Sequence, residues 1–295
     1  MAQPDTFSYG PHELQKVHVY RAQEGGQGAL WVIYIHGGAY RDKDILADSF
    51  SKTYEILNKH PMIHNNVAAF ASIDYRLSPH PNSPQDPVKT PKSRLRNAMH
   101  PDHLNDVQAA LKVLQEKYAF QDQYVLVGHS VGATMSFQAV MNKVQGADPT
   151  SIASPKPRAV VGVCGIYDLR LIRNDFKEIQ IYDEFLKGAL GPDEELWDRI
   201  SPGKVADSDG VASGWQNGQL AVLANSTGDL VVNKHQADVM VKILEQWKSL
   251  VEGRDVVELY DLREGHDDVW QKGEELANVI ITTIKRLARN KDIAC

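Results

Sequence analysis

Residues Gly128-His129-Ser130-Val131-Gly132 decide how this chain is read. Before them runs Gln123-Tyr124-Val125-Leu126-Val127, a short apolar segment that predicts a buried strand. After them, Ala133-Thr134-Met135-Ser136-Phe137-Gln138-Ala139-Val140-Met141 predicts a helix. A serine pinched between two glycines where a strand turns into a helix is a nucleophile elbow. The turn is so tight that side chains at the flanking positions would strike neighbouring backbone, so glycine is needed there. The same turn lifts the Ser130 hydroxyl out of the sheet and leaves it at a helix N-terminus. Free backbone N–H groups and the helix dipole favour negative charge at that point.

Outward from the elbow, strand-like and helix-like stretches alternate. The predicted strands are Gln15–Arg21, Leu30–Ile35, Val67–Asp74, Gln123–Gly128, Ala159–Gly165, Leu220–Asn225 and Val256–Tyr260. Several are continuous β-branched runs, as strands buried on both faces should be. Amphipathic helices are predicted over Leu104–Tyr118, Lys234–Leu250 and Asp268–Ala288 from apolar residues at 3.6-residue spacing. Alternating β and α elements argue for a mostly parallel twisted sheet with helices on both faces. With the elbow at one of its strand ends, this is the α/β-hydrolase fold. Two segments break the rhythm. Ser78 to Pro101 is rich in Pro, Ser and Asn and reads as a long surface loop, whereas Leu169 to Val205 is helical with no strand inside. The second segment, about 169–205, is expected to form a small helical cap over the strand ends, inserted in a single domain spanning 1–295.

The composition suits a soluble globular protein, with 42% hydrophobic and 24% charged residues. The net charge is −6 with both signs interspersed and no basic stripe, which argues against nucleic acid as a partner. No apolar run is long enough to span a bilayer, so no membrane association is expected. The stretch Met1 to Gly10 is polar and shows no secretory signal, and the two cysteines, Cys164 and Cys295, cannot supply a disulfide framework. A reducing, cytoplasmic compartment is therefore expected. Cys164 sits in the apolar run Ala159–Cys164 and is expected to be a buried, inert thiol. Homodimer formation is left open.

A serine nucleophile needs a base to take its proton, a group that orients the base, and donors for the oxyanion. In this fold the order is Ser, then Asp or Glu, then His. His266 lies in the polar loop Leu262-Arg263-Glu264-Gly265-His266-Asp267-Asp268, between the last predicted strand and the last helix. It is the candidate base. Asp229 follows the Leu220–Asn225 strand in Ser226-Thr227-Gly228-Asp229 and is the candidate acid. Asp267 and Asp268 are rivals, but residues adjacent to His266 seldom reach its Nδ1 with good geometry. His36-Gly37-Gly38-Ala39-Tyr40 follows directly on the Leu30–Ile35 strand. The N–H groups of Gly37 and Gly38, with that of Val131, are the candidate oxyanion hole. His60 with His64 and His100 with His103 have metal-like spacings, but neither pair carries the glutamate of a zinc-hydrolase helix. No metal and no cofactor are expected; the partner is a small-molecule substrate.

The pairing of His36-Gly37-Gly38-Ala39-Tyr40 with Asp74-Tyr75-Arg76-Leu77-Ser78-Pro79 and the elbow resembles the hormone-sensitive-lipase side of the α/β-hydrolases. Two positions depart from its general esterases: Ala39 replaces a third glycine, and His129 stands where aspartate is usual. Together with His100-Pro101-Asp102-His103-Leu104-Asn105-Asp106-Val107, the pattern resembles the fungal kynurenine formamidases, from about Leu30 to about Ala288. That resemblance implies hydrolysis of N-formyl-L-kynurenine to formate and L-kynurenine, in tryptophan degradation and NAD biosynthesis. It also implies room for an aromatic amino acid, for which the cap and Tyr40 as a stacking residue are the candidate walls. Arg76 is expected to be a structural cation paired with a carboxylate. The alternatives are a carboxylesterase acting on short acyl esters and a non-catalytic binding protein on the same scaffold.

Overall fold

The β-branched runs form strands close to where they are predicted. The computed structural model describes residues 4–21, 29–149 and 155–293. Cys295 and the first three residues of the N-terminal stretch lie outside them. Eight strands form one sheet: β1 (Asp5–Ser8), β2 (Lys16–Arg21), β3 (Leu30–Ile35), β4 (Val67–Ile73), β5 (Tyr124–His129), β6 (Ala159–Val163), β7 (Leu220–Ser226) and β8 (Asp255–Leu262). Their order is β1-β2-β4-β3-β5-β6-β7-β8. The pairs β1/β2 and β2/β4 are antiparallel, and every other pair is parallel. This is the mostly parallel sheet that the β/α alternation predicts.

Strand β3 shows how the sheet makes two cores. Trp31, Ile33 and Ile35 face one apolar cluster, while Leu30, Val32 and Tyr34 face the other. The helices α1 (Ser51–Leu57), α2 (Pro61–Asn66), α3 (Asp102–Tyr118) and α4 (Val131–Gln138) follow in chain order. The segment 169–205 holds α5 (Leu169–Asp175), α6 (Gln180–Leu190) and α7 (Glu194–Ile200), then come α8 (Val211–Gly214) and α9 (His235–Ser249). The last predicted helix is two: α10 (Asp268–Lys272) and α11 (Glu274–Ile293). Gly273, at φ 85°, breaks it, because its left-handed backbone cannot continue a helix. Strand β1 escapes sequence reading because Asp5–Ser8 is a largely exposed edge with no apolar alternation. The segment between Ser78 and Pro101 carries no helix or strand, as its composition predicts. Among the described residues, no helix is long and apolar enough to cross a membrane.

Candidate active site

The parallel strands β3, β5, β7 and β8 all end on one edge of the sheet, the edge where α/β proteins gather ligand chemistry. At the end of β5, Ser130 adopts φ 54° and ψ −122°, a left-handed-side conformation that costs a non-glycine residue energy. It sits at the N-cap of α4, and its own backbone N–H donates to the Val163 carbonyl. The elbow glycines have a steric cause. A Cβ on Gly128 would run into the Gly132 carbonyl, and one on Gly132 would run into the carbonyls of Ile35 and His36. Helix α4 thus packs its first turn directly against the β3 loop.

The structure brings Asp229 and His266 together. His266 Nδ1–H donates to Asp229 Oδ2 at 2.7 Å, and the aspartate side chain is fully buried. Asp229 Oδ1 accepts the N–H groups of Val231 (2.8 Å) and Val232 (2.9 Å). Burial pushes the Asp229 carboxyl up, but the bond from His266, the charge of that ring and the two backbone donors outweigh it, so its pKa is lowered. Ser130 and His266 both line a cavity of about 330 Å³ with Gly38, Ala39, Arg41, Asp42, Tyr182 and Phe185 among its walls. Asp267 also faces the cavity, but its Oδ1 accepts from Trp270 Nε1, and the imidazole Nδ1 goes to Asp229.

The β3 loop approaches the elbow closely. A Cβ on Gly37 would lie 2.9 Å from both His129 Nδ1 and Ser130 Cβ, so only glycine fits there. Gly38, Ala39 and Tyr40 follow with φ 83°, 49° and 62°, a run of left-handed residues that curls the loop. Val131 is the first residue of α4, and its N–H has no intrahelical acceptor. Gly37 and Val131 therefore stand beside Ser130, and Gly38 lines the same cavity.

Tyr40 is placed differently from expectation. It is 2% exposed and does not line the cavity. Its ring packs 4.9 Å from His103, and burial pushes its phenol well up. The left-handed turn at Tyr40 swings the side chain into the core and away from the substrate side. The segment 169–205 contributes instead: Ile179, Ile181, Tyr182 and Phe185 line the cavity, and Tyr182 donates to the Val231 carbonyl at 2.6 Å. Arg76 meets Asp106 through two-pronged bonds (Nε to Oδ2 and Nη2 to Oδ1, both 2.8 Å), with Asp102 at 3.3 Å, a structural pairing.

Two site neighbours escaped sequence reasoning. His129 Nε2–H donates to the His266 carbonyl at 3.0 Å, which ties the elbow to the loop of the base. Burial, then the facing His266 ring, holds its pKa at about 3. The only sequence signal was its departure from the usual aspartate. Cys164 is a buried thiol, as expected, but its sulfur lies within 4.8 Å of donor atoms of Asp229 and His266. Burial, then the Asp229 charge and the bond the thiol donates to it, keep the thiol protonated. Cys164, Asp229 and His266, or His129, His266 and Asp267, are the clustered groups that could hold a cation among the described residues. The sequence-spaced histidines serve the scaffold. His60 accepts from Met62 N–H and His64 donates to the Asn58 carbonyl. His100 donates to the Gln145 carbonyl, and His103 bonds Ser78.

The BD-FAE family model matches residues 17–244. The chain is 38% identical over 87% of its length to the kynurenine formamidase-like hydrolase fscH of Fusarium equiseti, covering 83% of that protein. It is 39% identical over 83% of its length to the kynurenine formamidase avaC of Aspergillus versicolor, covering 85% of it. An inhibited esterase B from Lactobacillus rhamnosis superposes with a TM-score of 0.67 at 15% identity, over all of this chain and 90% of the other. At that identity the likeness speaks for the fold alone.

Proposed function

The chain belongs to the BD-FAE family of α/β-hydrolases and to the kynurenine formamidase family, it is a hydrolase, and from that premise we propose that it cleaves the formamide of N-formyl-L-kynurenine through a Ser130–His266–Asp229 triad. The observation that carries the triad is the buried 2.7 Å bond between Asp229 and His266 on the wall of the cavity that Ser130 also lines. The substrate rests on the names of the two relatives.

The chemistry runs in two halves. Ser130 Oγ attacks the formyl carbon while His266 Nε2 takes the hydroxyl proton. Asp229 fixes the imidazole with its proton on Nδ1 and stabilises the cation that forms. The carbonyl oxygen becomes an oxyanion held by the N–H groups of Gly37, Gly38 and Val131, a type of contact whose loss costs roughly 2.7–4 kcal/mol. The C–N bond then breaks, His266 returns the proton to the departing aryl amine, and L-kynurenine leaves a formyl ester on Ser130. Water, deprotonated by His266, attacks that ester and releases formate. The segment 169–205 acts as a helical cap on this one domain, and the reaction belongs to tryptophan degradation in the cytoplasm.

Purified protein incubated with N-formyl-L-kynurenine and, separately, with a p-nitrophenyl ester tests the reading. Deformylation at the higher kcat/KM is expected. A many-fold preference for the ester would make the protein a carboxylesterase.

A further inference from the structure

Arg41, which is buried, differs from its partly exposed neighbour Arg76. Arg76 meets two carboxylates, Asp106 through Nε and Nη2 and Asp102 through Nη2. The Arg41 side chain is only 5% exposed, yet its carboxylate partner among the described residues is Glu184, at 2.6 Å from Nη1 and itself 43% exposed. A guanidinium carries five N–H donors in a planar fork, so the bond to Glu184 leaves donors open to the cavities that Arg41 lines. Arg41 lines the cavity of Ser130 and His266, and it also lines an adjoining cavity of about 550 Å³ walled by Glu184, Pro79, Pro81 and Leu95. The pair therefore stands at the seam between the two cavities. Arg41 lies on the loop that holds Gly37 and Gly38, and Glu184 lies on α6 of the cap.

We propose that Arg41 and Glu184 form a subsite for an α-amino-acid head group, with the guanidinium taking the carboxylate and the Glu184 carboxylate taking the ammonium. The two charges of the pair mirror those of a zwitterion. The negative Asp42 and Asp267 on the cavity wall disfavour a ligand that carries a carboxylate alone. A ligand with both charges exchanges one internal ion pair for two external ones, so no charge is left buried without a partner. This proposal deepens the formamidase reading and rests on it for the identity of the aryl group. Its test is a binding measurement that needs no turnover.

Calorimetric titration with L-kynurenine and with its decarboxylated amine compares ligands that differ only in the carboxylate. The wild-type protein is expected to bind L-kynurenine about ten-fold or more tightly than the amine, as a charge-assisted, two-pronged contact implies. The substitution Arg41→Gln is expected to erase that gap, and Arg41→Lys, which keeps the charge but loses the fork, to narrow it. Glu184→Gln should weaken both ligands, since both carry the ammonium. Equal affinities in the wild type, or a gap that survives Arg41→Gln, would overturn the subsite. If the pair is only a strut between loop and cap, Arg41→Gln lowers the melting temperature and leaves the affinity ratio where it was. A protein that shows the gap but fails to deformylate N-formyl-L-kynurenine keeps the subsite and loses the formamidase reading.

Discussion

The two walls of the Ser130 cavity are built by different means. On the sheet side, each group sits within four residues of a strand end. Gly37 and Gly38 follow β3, Ser130 follows β5, Asp229 follows β7 and His266 follows β8. The strands β3, β5 and β7 are buried along their whole length, so the backbone that aims these groups has no freedom to drift. On the other side stand three short helices laced by partly exposed ion pairs such as Arg173–Glu194, Lys187–Asp183 and Arg170–Asp198. Such pairs contribute about 0–1 kcal/mol each. The rim there is apolar and open, with Ile179 and Ile181 about half exposed and Val231 43% exposed. In the proposed mechanism the reacting groups hang on strands held by buried packing, and the ligand is met by helices held by weak, partly exposed ion pairs.

The sharpest way to break this contrast is to alter the sheet side. Ser130→Ala is expected to lower kcat by about 10⁴-fold or more, because removing the nucleophile leaves only the donors and binding. Asp229→Asn should cost about 10⁴-fold, since an amide no longer holds the imidazole in the required tautomer. Thermal unfolding alongside the kinetics separates chemistry from collapse. A Ser130→Ala protein that keeps substantial turnover would remove the elbow from the mechanism.

The same contrast explains what could be read in advance. The elbow, the paired glycines, Asp229 and His266 were legible because residue type, turn chemistry and position after a strand all point one way. Tyr40 misled because its direction depends on the left-handed φ values of Gly38, Ala39 and Tyr40, and no local propensity predicts three such residues in a row. Arg41 and Glu184 lie 143 residues apart, and their meeting depends on how the cap folds back over the sheet. Cys164 read as a buried, inert thiol and His129 only as a departure from the usual aspartate, and the tertiary fold brings them against Asp229 and His266. Helices α1 and α2 carry too short an apolar pattern to declare themselves.

A milder perturbation tests the cap side. Ile181 lines the cavity but remains 54% exposed, so substrate would cover surface that folding leaves open. Ile181→Ala should therefore raise KM roughly five-fold, equivalent to about 1 kcal/mol of apolar contact, while kcat stays nearly constant. Its melting temperature should barely change. A fall in kcat with KM constant would mean that the cap takes part in the chemistry, and the division between the two walls would fail.

A further expected effect concerns stability, and each wall carries one reporter. His129 belongs to the elbow. His103 lies in the first turn of α3 and bonds Ser78 of the long loop, whose His100 N–H reaches Ala189 of α6. Burial, first of all, holds both histidines at about 3, below the ordinary 6.5. Between those values the unfolded chain binds protons that the folded chain refuses. The stability that comes from keeping these rings neutral is therefore complete above about pH 6.5 and is lost as pH falls toward 3, at roughly 1 kcal/mol per pH unit for each ring. Melting temperature measured from pH 7.5 to 4 should decline on the acid side, and His103→Gln should flatten the decline whatever its effect at neutral pH. An unchanged slope in that variant would mean that protons enter the loop side without unfolding it, which would make that wall looser than its buried packing implies.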